Sequence, residues 1–235
     1  MFDIDIISVQ PRMFEGFLNE SIVARAVKKG ACDVRIIDLK EYGIGRWKKT
    51  DDAPYGGGPG MLMRCEPWFA AVEAAKARSS AEVTRVIMTS PAGKTFAQGD
   101  AMKFAALGNS SVSVHLIFMC GHYEGFDARI ETLVTDKYSI GDYILTGGEL
   151  ASAVMTDAIV RLLPGVLGGG PAAIASESFS SEGLLEPPQY THPAEFRGMK
   201  VPDVLLSGDH RKIEAWRTAR AIELTKAARP DLIHD

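Results

Sequence analysis

Four apolar runs that alternate with helical patterns constrain the fold of this chain more than any other feature of its sequence. The runs read FDIDIISV, CDVRIIDL, VTRVIMTS and SVSVHLIFMC. They are apolar with little alternation of polar side chains, which is typical of strands in a parallel sheet that helices cover on both faces. The sequence therefore predicts an α/β fold with a parallel sheet, doubly wound if judged from periodicity alone.

The helical patterns between the runs give the predicted order of elements. Spacing of apolar residues and stop signals predict helices over residues 11–29, 66–78, 97–107, 127–135 and 149–163. Gly30 ends the first of these helices, and Pro164 with Gly165 ends the last. The segment MTSPAGKT is predicted as a turn from strand to helix.

A change of composition after residue 164 divides the chain. Residues 1–164 contain all the predicted strands and are expected to form the first domain. The stretch PGVLGGGPAAIASESFSSEG predicts a flexible linker over residues 165–186. Residues 187–235 have too few apolar residues for an independent core, apart from an amphipathic helix over 209–228 that carries Ile213, Trp216 and Ile222. A small, mostly helical second domain is therefore expected.

Charge and cysteine content narrow the classes of function and location. The formal net charge of −4 argues against general coating of nucleic acid and leaves room for a local basic surface. Cys32, Cys65 and Cys120 are widely spaced and odd in number, which favours a reducing compartment, so the cytoplasm is the expected location. The sequence has no run of about 18 apolar residues, so no membrane partner is expected.

Three glycine-containing segments follow predicted strands and are expected to meet at one edge of the sheet. They cover residues 90–93, 121–125 and 140–148. They offer backbone amides, carbonyls and apolar side chains with almost no cation, which favours a flat, neutral heterocycle such as adenosine without phosphates. Glu124 is a candidate acceptor for an amine or a ribose hydroxyl, although a tight turn with a surface Glu remains the alternative, and His122 is interpreted as loop surface.

Two features suggest contact with RNA, and each has a simpler alternative. The segment DDAPYGGGPGM follows the basic and aromatic GRWKK, and it could equally be a mobile surface loop. The C-terminal helix and its end carry six cations against Asp209, Glu214 and Glu223, a pattern that an ordinary solvated helix face also explains. The cations are Arg211, Lys212, Arg217, Arg220, Lys226 and Arg229.

Taken together, these segments closely resemble the bacterial tRNA (guanine-N1)-methyltransferase family, TrmD, of the SPOUT class. The resemblance covers essentially the whole chain, in the right order. It is carried by DDAPYGGGPGM, SPAG, CGHYEGFDAR, YSIGDYILTGGEL, RLLPGVLG, ESF, GLLEPPQYTHP and the stretch from VPDVLLSGDH to WR. It implies a deep trefoil knot, a homodimer with each active site at the subunit interface, and S-adenosylmethionine bound in a bent form. It also implies methylation of N1 of guanine 37 in tRNA, beside the anticodon, when a guanine precedes it, with Mg²⁺ assisting.

The resemblance also assigns site residues. Arg161 would lie at the guanine, and Glu177 would be the general base where the family usually has the Asp of a DSF sequence. The stretch GGGPAA makes the linker slightly longer than in the family. The cofactor pocket is expected to contain Ser90, Pro91, Gly121, Tyr123, Glu124, Gly125, Ile140, Gly141, Asp142, Tyr143, Ile144, Leu145, Gly147 and Gly148. The tRNA contacts are expected at Asp51, Tyr55, Gly57, Gly58, Arg211, Arg217 and Arg220, and no protein metal site is predicted.

Two other functions remain as alternatives. MTSPAGKT ends in the GKT of a phosphate-binding loop, but Met88 stands where the first glycine is required and Pro91 removes a backbone N–H. A P-loop-like nucleotide-binding protein is therefore the weaker alternative. A non-catalytic RNA-binding module is the other, although such a module would not need three convergent cofactor segments.

Overall fold

The chain forms two compact units. The computed structural model describes residues 1–108, 112–168, 170, 174, 176–180 and 183–233. The first unit is Met1–Gly168 and the second is Gly169–Asp235. Of the GGGPAA stretch in the predicted linker, Gly169 and residues 171–173 lie outside the described residues. The proposed domain roles stay predictions.

A five-stranded, entirely parallel sheet forms the centre of the first unit, as the apolar runs predict. Its strands stand in the order β2-β1-β6-β5-β7. Two further short strands, β3 and β4, pair antiparallel with each other. In chain order the strands are β1 (Phe2–Ser8), β2 (Asp33–Asp38), β3 (Asp51–Asp52), β4 (Leu62–Met63), β5 (Val83–Thr95), β6 (Val114–Met119) and β7 (Asp136–Ser139).

Helices cover both faces of this sheet. They are α1 (Glu15–Asn19), α2 (Ser21–Lys28), α3 (Cys65–Arg78), α4 (Gln98–Leu107) and α5 (Glu149–Val160), with 3-10 turns at Pro11–Phe14, Leu39–Tyr42 and Ala128–Leu133. Successive residues of one strand enter different cores: Ile6 packs in the core with α2, α4 and α5, whereas Ile7 packs in the core with α3. This two-sided burial explains why the strand sequences lack polar alternation.

Three of the predicted helices differ from the observed ones. The helix predicted over 11–29 is wrong as a single element, because Glu20 is extended and Ser21 has a φ of 58°. Phe14, Val23 and Ala26 are buried on both sides of this break, so the apolar spacing continues through it. The segment predicted as a helix over 127–135 is a 3-10 turn. The helix predicted over 149–163 ends earlier, at Val160, because Pro164 has no N–H that could bond to the Val160 carbonyl.

The strand β5 continues through the segment that was expected to be a turn. Its pairing with β7 shifts register between Thr89 and Lys94, both of which lie opposite Tyr138. Residues 90–93 therefore bulge out of a continuing strand and do not end it, which corrects the turn predicted for MTSPAGKT. A bulge of this kind redirects side chains without ending the strand pairing.

One carboxylate is fully buried within the sheet unit. Asp5 accepts from the Nε of Arg35 and an Nη of Arg78, both at 2.9 Å, and its Oδ2 lies 3.0 Å from the Nε2 of His115. Burial acts to raise the pKa of Asp5, but the hydrogen bond and charge of His115 and the two guanidinium charges lower it below its ordinary value. Asp5 is therefore charged at neutral pH.

The second unit has a different construction. It contains a short antiparallel pair, β8 (Glu195–Phe196) and β9 (Met199–Lys200), then α6 (Asp203–Leu206), α7 (His210–Ala228) and a 3-10 turn at Pro230–Leu232. The Asp209 side chain caps α7 by accepting from the N–H groups of Arg211 and Lys212. Within the described part of this unit, only Ala221 and Thr225 are buried. No described helix in either unit combines the length and apolarity needed to cross a membrane.

Candidate functional site

A pocket of about 420 Å³ lies in the first unit, at the bulge of β5 and at the carboxyl ends of β6 and β7. Three chain segments line it, over residues 88–91, 121–126 and 138–148, with Glu131 and Ala151. Ligand sites in open α/β sheets lie outside the carboxyl ends of the strands, and this volume suits a small organic ligand. The pocket is therefore the candidate functional site of the sheet unit.

Thirteen of the fourteen residues expected to bind the cofactor line this pocket. Asp142 is the exception. His122 also lines it, which corrects its interpretation as loop surface: its Nδ1 is buried and its ring packs edge-on against Tyr123 with centroids 4.8 Å apart. Met88 and Thr89 were missed too, although their place at the end of an apolar run could have indicated them. The binding role of the thirteen residues stays a prediction.

Two glycines give the pocket its shape. The N–H of Gly148 donates to the carbonyl of Gly121 at 2.7 Å, joining the second segment to the third. A Cβ at Gly148 would collide with the Thr89 hydroxyl and lie 2.9 Å from the Cα of Cys120. Gly141 has a φ of +147°, and a Cβ there would lie 2.5 Å from the ring of Tyr143. Larger residues at either position would displace a wall of the pocket.

Buried hydrogen bonds support these walls from behind. The Ser8 hydroxyl donates to the buried Glu149 carboxylate at 2.6 Å, which links β1 to the first residue of α5. The Thr89 hydroxyl donates to the carbonyl of Met119 at 3.0 Å. Ser139 accepts from the N–H of Gly141 at 3.2 Å, which holds the start of the third segment. These hydrogen bonds tie the walls of the pocket to β1, β6 and β7.

The electrostatics of the pocket favour a neutral or cationic ligand. Among the described residues that line it there is no Lys or Arg, and Glu124 and Glu131 are the charged ones. Burial, and then the charge and hydrogen bond of Asp51, raise the pKa of the Tyr123 phenol, which therefore stays protonated at neutral pH. Burial chiefly raises the pKa of the Cys120 thiol, with the charge of Glu149 acting in the same sense, so this group is no nucleophile.

The glycine-rich segment that precedes β4 meets the pocket at Glu124. The N–H of Glu124 donates to the carbonyl of Met61 at 3.0 Å, and the N–H of Met63 donates to the carbonyl of Gly125 at 2.9 Å. Of the expected RNA contacts in this part of the chain, Asp51 lies on β3, whereas Tyr55, Gly57 and Gly58 lie in the exposed loop. Tyr55 is 99% exposed, so its ring is open to a partner.

The remaining predicted residues are divided between the two units. Arg161 is the half-buried C-cap residue of α5, and its N–H donates to the carbonyl of Asp157 at 3.1 Å. Glu177 is half-buried in the second unit, where its N–H donates to the carbonyl of Ile174. Because Arg161 and Glu177 belong to different units, their joint role stays a prediction. Arg211, Arg217 and Arg220 are exposed on α7.

Comparison with known proteins gives consistent matches along almost the whole chain. A family model described as tRNA (Guanine-1)-methyltransferase TrmD matches residues 2–235. The protein named tRNA (guanine-N(1)-)-methyltransferase in Listeria welshimeri is 50% identical over 231 residues, covering 98% of this chain and 91% of that protein. Its namesake in Levilactobacillus brevis is 52% identical over 236 residues, covering 99% and 90%. That of Geobacter sulfurreducens is 49% identical over 231 residues, covering 98% and 90%.

Proposed function

Because the chain belongs to the tRNA (Guanine-1)-methyltransferase family, TrmD, we propose that it transfers a methyl group from S-adenosylmethionine to N1 of guanine 37 in tRNA, beside the anticodon. The observation that carries this proposal is the glycine-shaped, cation-free pocket at the strand ends. The family model matches residues 2–235, which supports the assignment of the protein to the methyltransferases. The pocket supports the chemical nature of the donor.

The residues present fit S-adenosylmethionine. Gly148 leaves a cradle that a single Cβ would fill, and Glu124 offers a carboxylate to ribose hydroxyls or an amine. The absence of Lys and Arg from the described lining suits a cofactor that carries no phosphate and has a sulfonium charge. When bound, the cofactor supplies an electrophilic methyl group. The pocket residues hold it, orient it and exclude water.

The acceptor needs two further groups. N1 of guanine carries a proton at neutral pH, so a carboxylate must remove that proton as the methyl group is transferred. We assign this base to Glu177, and we assign Arg161 to the negative charge that develops on O6. The guanine must also leave its stack to reach the pocket, so most of the catalysis consists of positioning and charge stabilisation. The reaction requires no covalent intermediate.

The proposal includes a trefoil knot and a homodimer. The family membership supports the knot, and the third pocket segment, which bonds to Gly121 before it enters α5, lies beside the second segment there. Leu150 and Val154 stand one turn apart on α5 and are 54% and 51% exposed, which supports an apolar contact with a second copy. We also propose that the sheet unit holds the donor, that the second unit contacts the tRNA, and that the protein acts in the cytoplasm.

No step of the proposed mechanism is assigned to Mg²⁺. Within the ranges that the structure describes, no group of three or more His, Cys, Asp or Glu side chains is arranged to hold a metal ion. Mg²⁺ is often held by only one or two carboxylates together with water and substrate oxygens, so a cluster of this size is not required for an ion to assist. Oxygen atoms of the RNA remain as the chemically suitable ligands for any ion that assists.

The P-loop alternative is disfavoured by the contacts of its lysine. The Nζ of Lys94 donates to the Oδ1 of Asp100 at 2.5 Å, and the Asp100 side chain is 4% exposed. A phosphate-binding lysine has to point to the ligand instead. The non-catalytic RNA-binding alternative is left to experiment.

The test is transfer of labelled methyl from S-adenosylmethionine to tRNA with guanine 37, compared with the same tRNA carrying adenine there. We expect transfer to the first alone.

Glu177→Gln is expected to reduce turnover by about 1,000-fold or more with donor binding retained, because it removes the base but not the pocket. Arg161→Ala is expected to be comparably damaging. RNA binding without transfer by the unmodified protein would favour the non-catalytic module.

A further inference from the structure

A second cavity, of about 470 Å³, lies entirely within the second unit. The extended segment over residues 188–194 forms one wall, and α6 with α7 forms the others. Neither the donor pocket nor the proposed catalytic pair contributes to it. Its contents are therefore a separate question from the binding of the methyl donor.

The walls of this cavity are aromatic and apolar but not sealed. Tyr190 and Trp216 have ring centroids 6.4 Å apart with their planes tilted by 55°, and Tyr190 is 49% exposed. Trp216, Ile213 and Leu205 are half-buried and line the same cavity. An exposed tyrosine ring and a half-buried tryptophan ring beside apolar side chains fit a flat ring that can stack or pack edge-on.

The charged side chain among the described lining residues of the cavity is a cation. Arg217 lines it, and no Asp or Glu is among its lining residues within the described part of the chain. On α7, Lys212 pairs with Asp209 at 3.4 Å and Arg220 pairs with Glu223, whereas Arg211 and Arg217 have no ion pair among the described residues. Two guanidinium groups therefore remain available for an external anion.

We propose that this cavity binds one unpaired nucleobase of the tRNA, other than the guanine that is methylated. The base would pack against Tyr190 and Trp216, and the adjoining phosphate would contact Arg217. The base must be unpaired because proteins read RNA bases by stacking only where those bases leave the helix. Aromatic rings beside free cations distinguish this ligand from an acidic peptide, which would use the cations alone. The inference depends on the proposed function, since RNA is taken to be the substrate.

Two RNA probes of equal length and charge test the stacking. One is the unstructured pentanucleotide of adenosine, and the other has abasic riboses in place of its central three nucleotides. We expect the full-length protein to bind the first about tenfold more tightly, in line with the contribution of one stacked base. Tyr190→Leu should remove this preference and Tyr190→Phe should keep it. Calorimetry with S-adenosylmethionine should give the same affinity for all three proteins, which checks the sheet unit, and the retained preference of Tyr190→Phe checks the second unit.

Several results would overturn the inference. Equal binding of the two probes, or a preference that survives in Tyr190→Leu, would show that the rings bind no base. Binding of a pentaglutamate peptide as tight as that of pentaadenylate would show a general anion site. Failure of the proposed function is distinguishable: it would appear as no methyl transfer to tRNA by the unmodified protein, whatever the probes show. Transfer with no base preference would leave the proposed function intact and overturn this inference alone.

Discussion

The two cavities of this chain are built by opposite means. The pocket of the sheet unit is shaped by a close approach of backbone at Gly148, beside the Thr89 hydroxyl and the backbone of Cys120, with fully buried strands behind it. The cavity of the second unit is shaped by side chains such as Tyr190 and Trp216, in a unit whose described residues include only Ala221 and Thr225 as buried ones. One site is therefore part of a core, and the other is an arrangement on a surface.

This difference teaches what a substitution can do in each place. Adding an atom to the first pocket moves backbone that the sheet holds, so binding and stability should change together. Removing a side chain from the second cavity leaves the backbone in place, so affinity should change alone and by a graded amount. Substitutions in the two units, including one at a buried charge outside both cavities, test this distinction.

The largest effect is expected at Gly148. Gly148→Ala places a Cβ against the Thr89 hydroxyl and the Cα of Cys120, and the backbone of Cys120 is buried beside β6. We expect unfolding free energy to fall by about 1–3 kcal/mol through overpacking. We expect donor affinity to fall by about 100-fold or more, because the pocket wall is displaced. Chemical denaturation and calorimetry measure the two losses.

Gly99→Ala is the matched control for this prediction. Gly99 lies near the start of α4, and nothing stands within 4 Å of a Cβ placed there. The same change of atoms should leave donor affinity as it is and raise stability slightly, as Ala does for Gly in a helix. A loss of affinity in Gly99→Ala equal to that in Gly148→Ala would show that the close approach at Gly148 is not the cause.

An effect of intermediate size is expected at the buried charge of the sheet unit. Asp5→Asn leaves the guanidinium groups of Arg35 and Arg78 beside a neutral amide. The two guanidinium groups still reach water, whereas the third partner, His115, is fully buried and keeps only an amide beside it, so we expect a loss of about 2 kcal/mol of unfolding free energy. Urea denaturation at pH 7 measures it. Donor affinity should hold in the folded fraction, because Asp5 does not line the pocket.

The same substitution has a pH dependence of known sign. The pKa of Asp5 in the folded protein lies below the ordinary value of 3.8. Its contribution to stability is therefore complete above that value and is lost as the pH falls through the lower, folded pKa. The stability gap between the natural protein and Asp5→Asn should narrow below about pH 4. A gap that widens on acidification would contradict the assignment.

The smallest effect is expected on α7 of the second unit. Arg211→Gln and Arg217→Gln each remove one cation without an ion pair in the described structure. Each should weaken tRNA binding by about threefold and lower the slope of log affinity against log salt by about 1, with donor affinity unchanged. Arg12→Gln, an exposed change of equal charge on the sheet unit, is the control. A salt slope that stays the same in both α7 variants would place the phosphates elsewhere.

The sequence predicted those parts of the fold in which a local apolar pattern reflects burial of the same residues. The apolar strands and the extent of α3 and α4 follow from burial on one or two faces, whereas α7 was found from its apolar spacing although only Ala221 and Thr225 of it are buried. The break at Ser21 was missed because the apolar spacing continues across it. The bulge between Thr89 and Lys94 was missed because it depends on pairing with Tyr138, far along the chain.

The candidate site was predictable in part, because its glycines stand out in the sequence. Glycines at strand ends mark places of close backbone approach, so the segments around Gly121 and Gly148 could be foreseen. His122 could not be placed from the sequence, because the cover over its half-buried ring comes from Tyr123 and from Gly147, which the chain brings back from 25 positions later. The aromatic cavity of the second unit was also missed. Tyr190 and Trp216 are 26 positions apart and suggest no contact by spacing.

The strand order has a consequence for synthesis of the protein. Each side of β1 is paired, and its partner on one side is β6, with Ile7 opposite Met119 about 110 residues later. At roughly 5–20 residues per second, the ribosome needs about 5–20 s to deliver that partner after β1 emerges. During this interval an apolar strand edge has no native partner and is open to misassembly. We expect nascent chains truncated before residue 114 to require a chaperone to stay in solution, and chains extended beyond β7 to release it.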